Sequence, residues 1–183
     1  MRPGPNEVLH FSEDPTIREF VPRRASTQRV DTVHVWAVDA FHAPSYWFPR
    51  QCPRAMAWST DASSDEDVAR LLGAGGERVH AIEYGWLEAV RSVRLYAYRF
   101  DASLFRAHGE HRHACVCDDR VRPLGPAEEV GDVLALHDAA DIELRVMNNL
   151  WPFWQVVVDS TLGYSGIRMA NARPHPIQTT FEL

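Results

Sequence analysis

The sequence predicts an α+β fold: a mixed, split antiparallel sheet of six or seven short strands with three or four short helices. Three observations carry this. Seven short apolar or alternating runs are bounded by Pro, Gly or acidic turn residues, the mark of strands. Helical patterns fall between some of them, without the strand–helix alternation of a doubly wound sheet. No Gly-x-Gly-x-x-Gly follows a strand, so the phosphate-binding turn of a dinucleotide fold is missing. A length of 183 residues fits one globular domain, 1–183, with flexible tails at about 1–6 and 174–183.

The elements follow in order. Val8–Phe11 is a short apolar run before an acidic turn that contains Pro15, hence a strand. Residues 22–31 are polar and Arg-rich and read as a loop. Thr32–Val38 alternates and is rich in Val and Trp, a second strand. A helical turn is expected within Asp39–Tyr46, and Pro44, Pro49 and Pro53 forbid a long helix there. Arg54–Ser59 is a strand. Ser63, Ser64, Asp65 and Glu66 start a helix that runs to about Leu72, where Gly73 to Gly76 ends it. Arg78–Tyr84 is a strand and Gly85–Arg91 a short helix. Val93–Phe100 reads as a central strand with Arg94, Tyr96, Tyr98 and Phe100 on one face. Residues 101–111 read as a loop and Arg112–Cys117 as a strand. Gly131–Ala140 is a helix and Ile142–Val146 a strand. Leu150–Ser160 is an apolar helix with Pro152 in its first turn, where proline is tolerated.

Composition narrows the function classes. A net charge of −6 argues against nucleic acid as a main partner. The excess is uneven. Residues 1–61 hold seven Arg and seven acids, so the acidic surplus lies in the rest. All 19 cationic side chains are Arg. Without lysine there is no Walker-A phosphate loop, no Schiff base and no kinase β3 lysine. Three cysteines do not make a disulfide framework. No stretch has the apolar core of a signal peptide or approaches the ~20 residues of a membrane span. The expected location is the cytoplasm, with no membrane partner.

Four groups of residues could carry chemistry. His10, inside a short apolar strand, must satisfy both ring nitrogens, either on backbone or on a ligand hydroxyl. The segment from Phe41 to Arg54 holds Phe41, Tyr46, Trp47 and Phe48 together with Arg50 and Arg54, on backbone that prolines keep irregular. Such a segment either presents Arg and flat rings to an anionic, stackable ligand or plugs the core with its own aromatics. On a strand, His111, His113, Cys115 and Cys117 share one face. A neighbouring pair could chelate an ion, but the four span roughly 20 Å and cannot share one, so no metal is assigned. Among the acids, Glu83 and Glu143 fall on strands and could face a cleft, whereas Glu88 reads as solvated. Cys52 stands beside two arginines that could lower its thiol pKa.

Segments Leu9–Pro15, Phe20–Arg23, Trp36–Asp39, Tyr46–Arg54, Ile142–Arg145, Leu150–Trp154 and Ser160–Arg168 resemble an uncharacterised bacterial family of small proteins. That resemblance implies no activity. A second one is carried by Leu9-His10-Phe11-Ser12, the strand Val35–Asp39 and Ala43, which look like the opening of ADP-ribosyltransferase-like domains. It implies a split α+β sheet that cradles NAD, with His10 on a ribose hydroxyl, Tyr46 stacking on nicotinamide, and a late glutamate, here Glu143, stabilising the transition state by charge. Asp39 departs from the usual pattern. Ser12, Arg23, Arg50 and Arg54 are the ligand contacts that this reading expects. NAD or another nucleotide or ADP-ribose-type molecule is the expected ligand. The alternative is a non-catalytic interaction protein that uses the aromatic loop and the Trp151/Trp154 helix as a partner surface.

Overall fold

The computed structural model describes residues 1–24, 33–73, 76–108 and 114–176. Eleven strands and four α-helices lie among them. All seven strands expected from sequence are present: β1 (Glu7–Ser12), β3 (Val33–Ala37), β4 (Arg54–Trp58), β5 (Arg78–Glu83), β6 (Tyr96–Asp101), β8 (Ala114–Cys117) and β10 (Glu143–Met147). The helices are α1 (Asp65–Leu71), α2 (Leu87–Ser92), α3 (Val133–Ala139) and α4 (Trp151–Val158). Local chemistry sets their ends. The Ser64 hydroxyl accepts from the Asp67 amide at 3.2 Å and caps α1. Gly73 follows at φ +81°, in the left-handed region that a helix stop favours. Asp132 accepts from the amides of Leu134 and Ala135 and caps α3.

Four strands were not legible: β2 (Arg23–Arg24), β7 (Arg106–His108), β9 (Glu128–Glu129) and β11 (Gly163–Ile167). The first three are two or three residues long, too short for an alternation to register. β11 contains two glycines, which strand propensity disfavours. They are there because tryptophan rings lie on them. A Cβ at Gly163 would meet Trp58, and one at Gly166 would meet Trp154.

The chain forms two compact units, each made of two separate stretches: Met1–Arg50 with Ala89–Leu136, and Gln51–Glu88 with the residues from His137 on. The first unit holds two sheets, ordered β1-β6-β9 and β2-β3-β8-β7, with antiparallel pairing throughout. Its core gathers Val8, Phe20, Val35, Ala37, Tyr98, Phe100, Cys117 and Val121. The expected aromatic face of β6 supplies Tyr98 and Phe100, and the Phe20 ring packs edge-on to both, at 5.0 and 5.1 Å. The Tyr98 hydroxyl donates to the Asp14 carbonyl at 2.7 Å and accepts from the Ile17 amide at 3.0 Å, so the acidic turn is tied to the core. Residues 1–6 make their own bonds. The Met1 carbonyl accepts from Trp47 Nε1, and that of Asn6 from the Ala102 amide.

The second unit holds one sheet, ordered β10-β5-β4-β11, in which β10 and β5 run parallel and the other pairs antiparallel. Every residue of β4 and β5 is buried, which explains their continuous rather than alternating apolar character. On one face Ala55, Ala57, Val79 and Ala81 pack with Leu71 of α1 and with Phe153 and Val157 of α4. Small side chains on these strands let the helices approach closely. No helix among the described residues is long and apolar enough to cross a membrane.

Candidate functional site

Of the seven residues that the NAD-type reading names, His10, Ser12, Arg23, Tyr46 and Arg50 belong to the first unit, and Arg54 and Glu143 to the second. His10 lies where two strands part. β1 and β3 meet at one bridge, Leu9 to Val38, through two hydrogen bonds of 2.8 Å. Beyond it the Trp36 carbonyl is met by a side chain, His10 Nδ1, at 2.7 Å. A carbonyl only accepts, so Nδ1 carries the proton and Nε2 keeps its lone pair. The ring packs edge-on to Phe20 at 4.9 Å. Burial, aided by the Arg50 and Arg23 guanidiniums, pushes its pKa down to about 4 against the opposing pull of the Trp36 bond. At neutral pH the imidazole is therefore uncharged, a hydrogen-bond acceptor at Nε2 and a weak base.

Arg50 ends the aromatic segment. It is exposed, and its amide donates to Glu13 Oε1 at 2.7 Å, which fastens the segment to the end of β1. Arg23, also exposed, stands opposite His34 in the β2–β3 ladder. Neither guanidinium has a carboxylate partner among the described residues. Arg99, by contrast, is held between Glu7 and Glu128. Tyr46 ends a 3₁₀ turn, Ala43–Tyr46, and is half-buried. Trp47 and Phe48 are fully buried, so part of this aromatic segment is a core plug. The Ser12 hydroxyl accepts from the Asp14 amide at 3.1 Å and serves the turn.

The remaining candidates have structural partners. Arg54 is buried on β4, with Nη1 donating to the Cys52 carbonyl at 2.9 Å. Glu143 is exposed at the start of β10. Arg145 donates to both its oxygens at 2.9 and 2.8 Å and holds its carboxyl below the usual range. Glu83 is buried and accepts the amides of Leu150 and Arg173, an internal anchor rather than a cleft acid. Glu88 is exposed. The expectation for Cys52 is reversed. Burial pushes its thiol up to about 12, and the pull of Arg54 is too small to offset it. His111 and His113 lie outside the described residues. Cys117 is in the core of the first unit and Cys115 packs against it. No group of three His, Cys, Asp or Glu among the described residues could hold a metal ion.

Sequence reasoning missed a second polar cluster in the first unit. The register places His34 and Trp36 of β3, Val116 of β8 and Arg106 and His108 of β7 on the face opposite Val35, Ala37 and Cys117. Buried His34 donates from Nδ1 to Asp118, and Arg106 donates to both Asp118 oxygens at 3.1 and 3.2 Å. The Asp118 carboxyl is held below its usual range by Arg106 and then by His34. The His108 ring stands 5.4 Å from His34 and 4.9 Å from Trp36, and burial, followed by His34 and Arg106, lowers its pKa. The alternation of His34 and Trp36 was a visible signal. Their partners come from strand pairing across more than 70 residues, which one sequence does not display.

Residues 9–172 match the Family of unknown function (DUF6886). No curated protein and no solved structure matches the chain significantly.

Proposed function

Since the chain belongs to this family of unknown function, to which no activity is attached, we propose from the site alone that it binds a phosphate-bearing nucleotide-type ligand of the NAD or ADP-ribose class at His10, Arg23 and Arg50. One observation carries the reading. A neutral imidazole with Nδ1 committed to the Trp36 carbonyl sits in the field of two exposed arginines that have no carboxylate partner among the described residues. Nε2 can accept only from a donor such as a sugar hydroxyl. Guanidinium forks take phosphate oxygens. A ribose phosphate offers both groups together. Tyr46, four residues before Arg50, is the ring that this reading assigns to stacking on a base. Binding is better supported than group transfer of the ADP-ribosyltransferase kind, because the carboxylate proposed for that chemistry, Glu143, is engaged by Arg145. The alternative of a tryptophan-lined partner surface has less support. Trp154 packs on the core of the second unit, and Trp151 Nε1 donates to the Arg173 carbonyl.

Thermal unfolding with NAD, ADP-ribose, AMP and inorganic phosphate tests this. A ligand at 100 times Kd stabilises by about 2.7 kcal/mol, a Tm rise of roughly 5–10 °C at this size. Arg50→Ala and Arg23→Ala should each weaken binding about tenfold and reduce its salt dependence. His10→Ala should weaken ADP-ribose but not phosphate. If none of the nucleotides raises Tm at millimolar concentration, the reading is wrong.

A further inference from the structure

The second unit buries another pair of histidines that plays no part in this reading. His80, in the middle of β5, is 0% exposed, and His137, in the last turn of α3, is 2% exposed. His80 Nδ1 and His137 Nε2 lie 3.0 Å apart, with the rings edge-on at 5.1 Å. Two ring nitrogens hydrogen-bond only when one carries a proton and the other a lone pair. The neutral pair therefore shares one bridging proton, and a doubly charged pair has two donors and no bond. Arg54 from β4 and Arg78 from β5, both buried, act on His80 together with His137. Its neighbours in the sheet register are apolar, Met56 of β4 and Leu144 of β10.

His137 is also a backbone hub. Its carbonyl accepts from the amides of Ala140 at 3.1 Å and Ile142 at 3.0 Å, and between them Asp141 adopts φ +53°. The ring thus docks on β5 the turn that leads from α3 into β10.

We propose that the His80–His137 pair is a proton-operated latch: while neutral it holds the α3–β10 turn on β5, and once both rings are protonated it releases that turn. Burial first, then the nearby positive groups, keep His80 well below the ordinary value of 6.5. The latch is therefore closed at neutral pH. The released form has the higher histidine pKa and takes up both protons, so opening is favoured as pH falls below 6.5.

Amide exchange at single-residue resolution between pH 7.5 and 5 tests the latch. Corrected for intrinsic rates, protection at Ala140, Asp141 and Ile142 should fall about tenfold or more, while Val79 and Ala81 on β5 hold theirs. In the double variant His80→Met with His137→Leu the fall should vanish. If that variant does not fold, ¹⁵N shifts of the two imidazoles in the unaltered protein decide. They should report neutral rings at pH 7.5 that titrate together with the turn amides. Equal protection at both pH values, cationic rings at pH 7.5, or an unchanged response in the variant would overturn the proposal.

Discussion

Replacing Gly163 by alanine tests the account of β11 directly. An added Cβ would stand 2.3 Å from Nε1, 2.7 Å from Cε2 and 2.8 Å from Cδ1 of Trp58. Ordinary contact needs about 3.5 Å, so the indole or the strand must move by about 1 Å. Neither is free to do so. Trp58 is 5% exposed, with the Arg78 guanidinium 5.3 Å from its ring, and Gly163 is its direct partner in the ladder. Overpacking of this kind costs about 1–3 kcal/mol. The reduced freedom of the unfolded chain returns about 0.4–1 kcal/mol. The net loss should be about 1–2 kcal/mol, read as a lower urea midpoint at unchanged m and a Tm lower by roughly 2–8 °C. Gly166→Ala is the internal control. Its nearest neighbour is the tip of the half-buried Trp154 ring at 2.8 Å, which can swing aside, so the cost should stay below about 1 kcal/mol. Trp58→Phe removes the pyrrole edge and should relieve Gly163→Ala, with a coupling of at least about 1 kcal/mol in the double-mutant cycle. A Gly163→Ala variant as stable as the parent, or strictly additive effects, would refute the reasoning.

Two further outcomes follow from the titrating groups. His10, held at about 4 against 6.5, adds nothing to the pH dependence above pH 7. Below that the unfolded state binds the extra proton, so its share of stability is lost as pH falls: about 1 kcal/mol at pH 5.5 and about 2–3 kcal/mol at pH 4.5. His10→Asn, which keeps a donor for the Trp36 carbonyl, should flatten urea-derived stability against pH by those amounts, and parallel curves for the two proteins would contradict it. Cys52, buried and pushed up to about 12, should resist iodoacetamide at pH 8 in the native protein and react once urea is added. Peptide mass spectrometry that finds Cys52 alkylated ahead of Cys115 would be the adverse result.

Strands with clean alternation or continuous apolar character, and the helix with a Ser start, were legible because those signals are local. β11 was not, since glycine reads as a turn unless the ring lying on it is known. The candidate site was half legible. His10 and Arg50 could be named, because an imidazole in an apolar strand and an arginine after prolines are local oddities. The different burial of Arg54 and Arg50 was hidden. Only strand pairing shows that Arg54 enters a fully buried strand while Arg50 stays exposed. Glu83 was misjudged for the same reason, because backbone amides 67 and 90 residues away satisfy it.

That buried carboxylate sets an order of events during synthesis. Glu83 emerges from the ribosome long before Leu150 and Arg173, whose amides it needs once water is excluded. The stretch 89–136, which lies between the two parts of the second unit, belongs to the first. A nascent chain can therefore gather both parts of the first unit while the second still waits for its last strand. In pulse-labelled translation, protease resistance should arise in two steps, with the protection of β4 and β5 coming last although they are made early.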